Sequence, residues 1–290
     1  MPQIRKCRLS SQPFRLAKGQ LQHGTLETHQ SHSQYLHNQR GLAIYLPPGY
    51  AQSQQHYPVL YMHDGNNLFD PRLAFGGTPW WVQRTLDQLI SLELMPPILV
   101  VGVYNTLGRN HEYTWSRMHT PWGAEGGQGP LYARYLIHEL KPMIDRRYRT
   151  RPQAHHTAVM GSSLGGLSAF DLGLHYPDVF GKIGMVSPSL WWNRGESLHQ
   201  ARHYPQGLTL WLDMGSREGG RMRIDRNPNI LNIRRLKRAL QGRGYREGHD
   251  LGYLEDRGGQ HNEWWWGQRL HLPLLFFFGS AKARRLILKD

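Results

Sequence analysis

The chain has 290 residues, 39% of them apolar and 19% charged, with a formal charge of +14 and a single cysteine. That size can bury a substantial core, and that composition excludes a disordered or low-complexity chain. Cys7 cannot form an internal disulfide, so nothing requires an oxidising compartment and the cytoplasm is the expected location; the charge permits an anionic partner without specifying one.

The first eight residues are basic but lead into no apolar stretch, so no cleaved secretory signal is expected. Residues 1–22 lack periodicity and read as an N-terminal arm, with a single domain over 23–290. Strands are expected at 24–28 and 41–46, the second ending at Pro47-Pro48-Gly49, which cannot continue a ladder. The apolar run 57–62 breaks into His63-Asp64-Gly65-Asn66-Asn67, a loop with turn chemistry. Thr78-Pro79 reads as the cap and first residue of a helix whose apolar face carries Val82, Leu86 and Leu89 until Pro96-Pro97 stops it. A buried strand follows at 98–103.

Residues 104–128 form a long segment holding Arg109, Glu112, Tyr113, Trp115 and Trp122 among glycines; long loops in compact domains are often functional, so this is a candidate substrate rim or lid. Leu136, Leu140 and Ile144 give 131–147 helical spacing, with Pro142 expected to kink or split it. After 157–168 come strands at 182–186 and 208–212, separated by an aromatic loop at 187–192. A helix over 229–240, a short strand at 251–254 and one terminal helix over 263–278 complete the pattern. Ten arginines and lysines lie between Arg217 and Arg246, including Arg234, Arg235, Lys237 and Arg238; with no recognisable nucleic-acid module they read as a solvated helix face, and nucleic acid is not an expected partner. The most apolar run, 272–278, is far short of the roughly 20 residues a membrane span needs.

Strands alternating with helices over one uninterrupted length predict an α/β fold, a mostly parallel central sheet with helices on both faces. Chemistry in such sheets gathers at the carboxyl ends of strands, here the loops after Met62, Val103, Met160, Val186, Leu212 and Leu254. One of those loops carries a motif. Gly161-Ser162-Ser163-Leu164-Gly165 fits G-x-S-x-G, the strand-to-helix turn that exposes a nucleophilic serine, with Ser163 at its centre. A dinucleotide loop would need glycine at Ser163 and a P-loop lysine at Leu167, so both alternatives fail.

A serine of this kind needs a base, an acid that orients the base, and donors for an oxyanion, and on this elbow the order is serine, acid, histidine. Of the histidines beyond Ser163, His261 alone follows the last strand in a flexible loop, Gly258-Gly259-Gln260-His261-Asn262-Glu263. For the acid, Glu218 lies past the Gly215 turn with longer reach, and Asp213, still on the strand, is the alternative. His155-His156 and His111-Glu112 lack the H-E-x-x-H spacing and there is no paired-cysteine site, so no metal or cofactor is expected.

Several motifs in one order carry a resemblance: Leu46-Pro47-Pro48-Gly49-Tyr50, Tyr61-Met62-His63-Asp64-Gly65-Asn66-Asn67-Leu68-Phe69, the turn from Gly161 to Gly166, and His261-Asn262-Glu263. Together they resemble the putative-esterase family of α/β-hydrolases, which includes esterase D, enterochelin esterases, feruloyl and acetyl-xylan esterases and mycolyltransferases. Asn105, Arg109, Glu112 and Tyr113, with Ser187-Pro188-Ser189-Leu190-Trp191-Trp192, look closest to the enterochelin-esterase-like branch. The resemblance implies the α/β-hydrolase fold and a serine esterase with Ser163 as nucleophile, His261 as base and Glu218 as acid. It also implies an oxyanion hole from the amides of Leu164 and of Gly65 or Asn66. The expected partner is a small ester, aromatic, sugar-linked or anionic, with Arg109, Trp115, Trp191 and Trp192 as candidate substrate contacts. The alternatives are an acyltransferase of the same fold and an inactive scaffold acting as a basic binding protein.

Overall fold

In a computed structural model, residues 21–121, 123–220 and 222–288 are described. The expected arm therefore lies outside the described residues up to residue 20, as does Trp122. An eight-stranded sheet runs in the order β1-β2-β4-β3-β7-β8-β9-β10. Strands β1 (Thr25–Ser33) and β2 (Asn38–Leu46) pair antiparallel, and β2 pairs antiparallel with β4 (Leu99–Val103). From β4 onward every neighbour is parallel: β3 (Val59–Met62), β7 (Thr157–Ser162), β8 (Lys182–Val186), β9 (Thr209–Gly215) and β10 (Leu251–Asp256). Their carboxyl ends therefore share one edge of the molecule. A small hairpin, β5 (Arg117–Thr120) and β6 (Gly123–Gly126), stands apart within the long segment after β4.

The helices are α1 (Val82–Ser91), α2 (Arg109–Glu112), α3 (Gly129–Arg134), α4 (Lys141–Arg147), α5 (Leu164–His175), α6 (Glu196–Gln200), α7 (Pro228–Gly242), α8 (Glu263–Arg269), α9 (His271–Phe278) and α10 (Ala281–Ile287). Alternate strand residues feed two cores. Val59, Tyr61, Val159, Ile183 and Leu210 pack with Tyr132, Ile144, Phe170 and Ile233 on one face. On the other, Leu60, Met62, Met160 and Trp211 pack with Val82, Leu86, Trp266 and Phe276. This is the α/β-hydrolase arrangement, with the period of two splitting each strand between the faces.

Two helix expectations are corrected, and the interruption expected at Pro142 takes the form of a π-helical turn. The helix expected from Thr78-Pro79 starts at Val82, because Trp80 N–H donates to Asn67 O at 2.9 Å and Val82 N–H to Leu68 O at 3.1 Å, which holds this backbone against the preceding loop. Around Pro142 the helix passes through a π-helical turn, Tyr135–Leu140, so the missing proline N–H falls where the hydrogen bonding changes register. The terminal helix is two helices meeting at Leu270, since Pro273 cannot bond back to Arg269.

Candidate active site

Ser163 joins β7 to α5 at φ 58° and ψ −123°, a backbone state that costs an L-residue about 1–3 kcal/mol. Its surroundings hold it there. Ser163 N–H donates to Val186 O at 3.0 Å, and Ser163 O accepts from Ser189 N–H at 3.0 Å. Gly161 is required by contact, since a Cβ there would lie 2.7 Å from the Gly165 carbonyl carbon; Gly165 is tightly placed, a Cβ lying 3.2 Å from His63 Cβ. The Ser163 hydroxyl stands 3.2 Å from the hydroxyl of the buried Ser189. Leu164, as the first residue of α5, carries an amide that intrahelical bonding does not use.

His261 sits just before Asn262, whose side chain caps α8 by accepting from Trp265 N–H at 3.1 Å. Its Nδ1 donates to Glu218 Oε2 at 2.8 Å, because a carboxylate can only accept, and this leaves Nε2 as a proton acceptor. The imidazole is 42% exposed while Glu218 is 1% exposed. Glu218 Oε1 accepts from the Ser187 hydroxyl at 2.5 Å and from Gly215 N–H at 2.8 Å. Ser187 in turn accepts from Trp266 Nε1 at 3.0 Å and from Arg269 at 2.7 Å. Val186, which anchors the Ser163 amide, is joined by one peptide bond to Ser187, which braces Glu218, so the serine and the His261–Glu218 pair share one scaffold.

Asp213 faces elsewhere. It accepts from Arg269 Nε at 3.1 Å and from the same guanidinium's NH2 at 2.8 Å, and from Trp211 Nε1 at 2.7 Å. Burial pushes its carboxyl above the ordinary range, against the pull of Arg269. Ser187, Arg269 and Trp266 were not anticipated as site residues. Serine in the Ser187-Pro188-Ser189 motif was the only available signal, whereas Arg269 is hidden in a helix whose facing residues the sequence does not reveal.

The loop after β3 forms a 3₁₀ turn, Gly65–Asn67, and it is braced throughout. Asp64 accepts a bidentate pair from Arg109, at 2.7 and 2.8 Å, and a bond from Asn105 Nδ2 at 2.6 Å. The Tyr113 hydroxyl accepts from Asp64 N–H at 3.0 Å. Glu112 is buried against Arg40, with two bonds of 2.9 Å, and accepts from Thr106 at 3.0 Å. The first part of the segment expected to be a rim or lid is thus the support of this turn. Gly65 rests on β4: a Cβ there would lie 2.4 Å from the Gly102 carbonyl carbon. Gly65→Ala is therefore expected to displace the turn and lower kcat about 100-fold. Steady-state kinetics check this, and a variant that loses melting temperature but keeps kcat would argue against it.

His63 is buried, shares a 3.0 Å hydrogen bond with the Tyr132 hydroxyl, and has its pKa pushed down to about 4 by burial. A histidine neutral in the fold but titrating near 6.5 when unfolded contributes stability above pH 6.5 that is lost as pH falls toward 4, about 3 kcal/mol in all. Wild type should therefore lose melting temperature more steeply over that window than His63→Gln. Parallel curves would contradict the assignment.

Of the candidate substrate contacts, only Trp191 is open, at 52% exposure. Trp115 stacks on His175 at 4.6 Å. Trp192 is buried and donates to Ser116 O at 3.0 Å. Both wall a void of about 10 Å³, the size of one water molecule. On α7, Arg234 pairs with Glu255 at 2.7 Å and Lys237 with Glu247 at 2.9 Å, so part of the basic run is neutralised. Among the described residues there is no cluster of three or more His, Cys, Asp or Glu suited to a metal, and no helix long and apolar enough to cross a membrane.

The family described as "Putative esterase" matches residues 33–277. The chain belongs to that family. With esterases among its relatives, this chain is a carboxylic-ester hydrolase. The esterase is 25% identical to the Bacillus subtilis (strain 168) protein YbbA, over 87% of this chain and 97% of that one. It is 33% identical to the iron(III) enterobactin esterase of Escherichia coli (strain K12), over 63% of this chain and 44% of that enzyme. Among solved structures, the BES protein of Bacillus cereus superposes with a TM-score of 0.68 at 21% identity, covering 88% of this esterase and 95% of that chain. The enterobactin esterase FES of Shigella flexneri superposes at 0.69 and 22% identity, covering 87% and 58%. These two likenesses establish the fold.

Proposed function

We propose that this esterase works through an acyl-enzyme, with Ser163 as nucleophile, His261 as base and Glu218 as the acid that orients it. The observation that carries the reading is the strained Ser163 at the carboxyl end of β7, on one scaffold with a 2.8 Å His261–Glu218 pair. His261 Nε2 takes the Ser163 proton as the oxygen attacks the ester carbonyl, and the amides of Leu164 and of Gly65 or Asn66 hold the oxyanion. The imidazolium then protonates the leaving alcohol. Water, deprotonated by the same nitrogen, releases the acid and restores the serine.

The substrate we infer is an ester with an aromatic or apolar part and negative charge. Phe75, Leu107, Trp191, Met222 and Trp264, all exposed, stand on segments that follow the carboxyl ends of five different strands, Trp264 in the first turn of α8. A formal charge of +14 attracts anions over a long range. A relative named for enterobactin and one named for feruloyl esters fit the aromatic part of that class. The test is a fluorophosphonate probe read by intact mass, with one adduct expected on Ser163; an active enzyme that takes no label would overturn the reading.

A further inference from the structure

Glu263 is used by none of these steps, yet it lies between the two loops that must cooperate. It is the first residue of α8, two positions after His261, and only 9% exposed. Its Oε1 accepts from Asn67 Nδ2 at 3.1 Å across 196 residues of chain. Asn67, itself 7% exposed, closes the 3₁₀ turn, and its Oδ1 accepts from Asn66 Nδ2 at 2.9 Å and from Phe75 N–H at 3.0 Å. The turn is thus gripped at both ends, Asp64 by Arg109 and Asn105, and Asn67 by Glu263.

We propose that Glu263 is a positioning residue that ties the turn bearing the oxyanion amides to the loop bearing His261, so that donors and base keep one geometry through both acyl transfers. The proposal rests on the serine-esterase reading above. Its physical ground is that a shift of about 1 Å in either loop separates groups that must act on the same carbonyl. The carboxylate also has an electrostatic reach. Burial pushes the Glu263 carboxyl up and the charge of Asp64 adds to this, while His261 and Arg109 pull it down.

Three variants test the latch. Glu263→Gln keeps an oxygen for Asn67, so kcat at its optimum should stay within about three-fold of wild type. Glu263→Ala and Asn67→Ala each break the latch and should lower kcat about 10- to 100-fold with little change in KM. Because they cut the same bond, the double variant should be no worse than the poorer single one. Independent, multiplying losses, an alanine variant with wild-type kcat, or a Glu263→Gln loss as large as that of Glu263→Ala would overturn the latch. If Glu263→Ala fails to fold, Glu263→Gln and Asn67→Ala still decide. Failure of the underlying reading has a different signature: Ser163→Ala would retain activity, whatever Glu263 does.

Discussion

Ser163→Ala is expected to lose hydrolysis of a short-chain p-nitrophenyl ester by about 10⁵- to 10⁶-fold in kcat, and to take no fluorophosphonate label. The loss should be this large because without the oxygen no acyl-enzyme forms, and the oxyanion amides and His261 can only assist direct attack by water. The backbone supplies a second readout. At φ 58° and ψ −123° the residue occupies a state glycine adopts freely, so Ser163→Gly exchanges about 1–3 kcal/mol of strain for glycine's entropic cost of roughly 0.5–1 kcal/mol. That variant should therefore be inactive with a melting temperature at or above wild type. Residual turnover in both variants would move the nucleophile elsewhere; a neighbouring hydroxyl, Ser189 Oγ at 3.2 Å, is then the first to examine.

The elbow was legible because its demands are local. A buried strand, two glycines in fixed places and a serine between them are written in consecutive letters, and so are the strands from Val59–Met62 to Leu251–Asp256 that put their ends along one edge. What the letters hid were contacts between distant segments. Arg109 reads as a candidate substrate contact in a long loop, and its guanidinium is paired with Asp64, 45 residues away. Glu112 and Arg40 neutralise one another inside the protein. Trp115 and Trp192 looked like binding-site aromatics because periodicity cannot distinguish a ring at a mouth from a ring under it. The helix starts and breaks at Val82 and Leu270 were missed for a related reason, since tertiary hydrogen bonds and a proline outweighed the apolar pattern.

Glu218 and Asp213 are the pair on which the distinction between a charge that works and a charge that holds can be measured. Glu218 Oε1 receives two donors, Ser187 Oγ and Gly215 N–H, and Oε2 receives His261 Nδ1. In Glu218→Gln the amide oxygen can satisfy the first pair only by turning its NH₂ toward His261. Nδ1 must then accept, the proton moves to Nε2, and that nitrogen can no longer take a proton. A loss of about 10³- to 10⁴-fold in kcat is expected, with KM little changed. Asp213→Asn should do the opposite. Arg269, 1% exposed, would lose its closest charged partner, a change that costs about 3–5 kcal/mol when a buried pair is broken, and the remaining Glu218 and Asp256 contacts at 3.7 and 3.4 Å are longer. Its melting temperature should fall by several degrees while the folded fraction keeps kcat within about ten-fold. Thermal melts and active-site titration on the same preparations separate the two effects. If Asp213→Asn stays folded and loses kcat while Glu218→Gln keeps it, the orienting acid is Asp213, and the 2.8 Å contact of His261 with Glu218 is a resting arrangement outside the reaction.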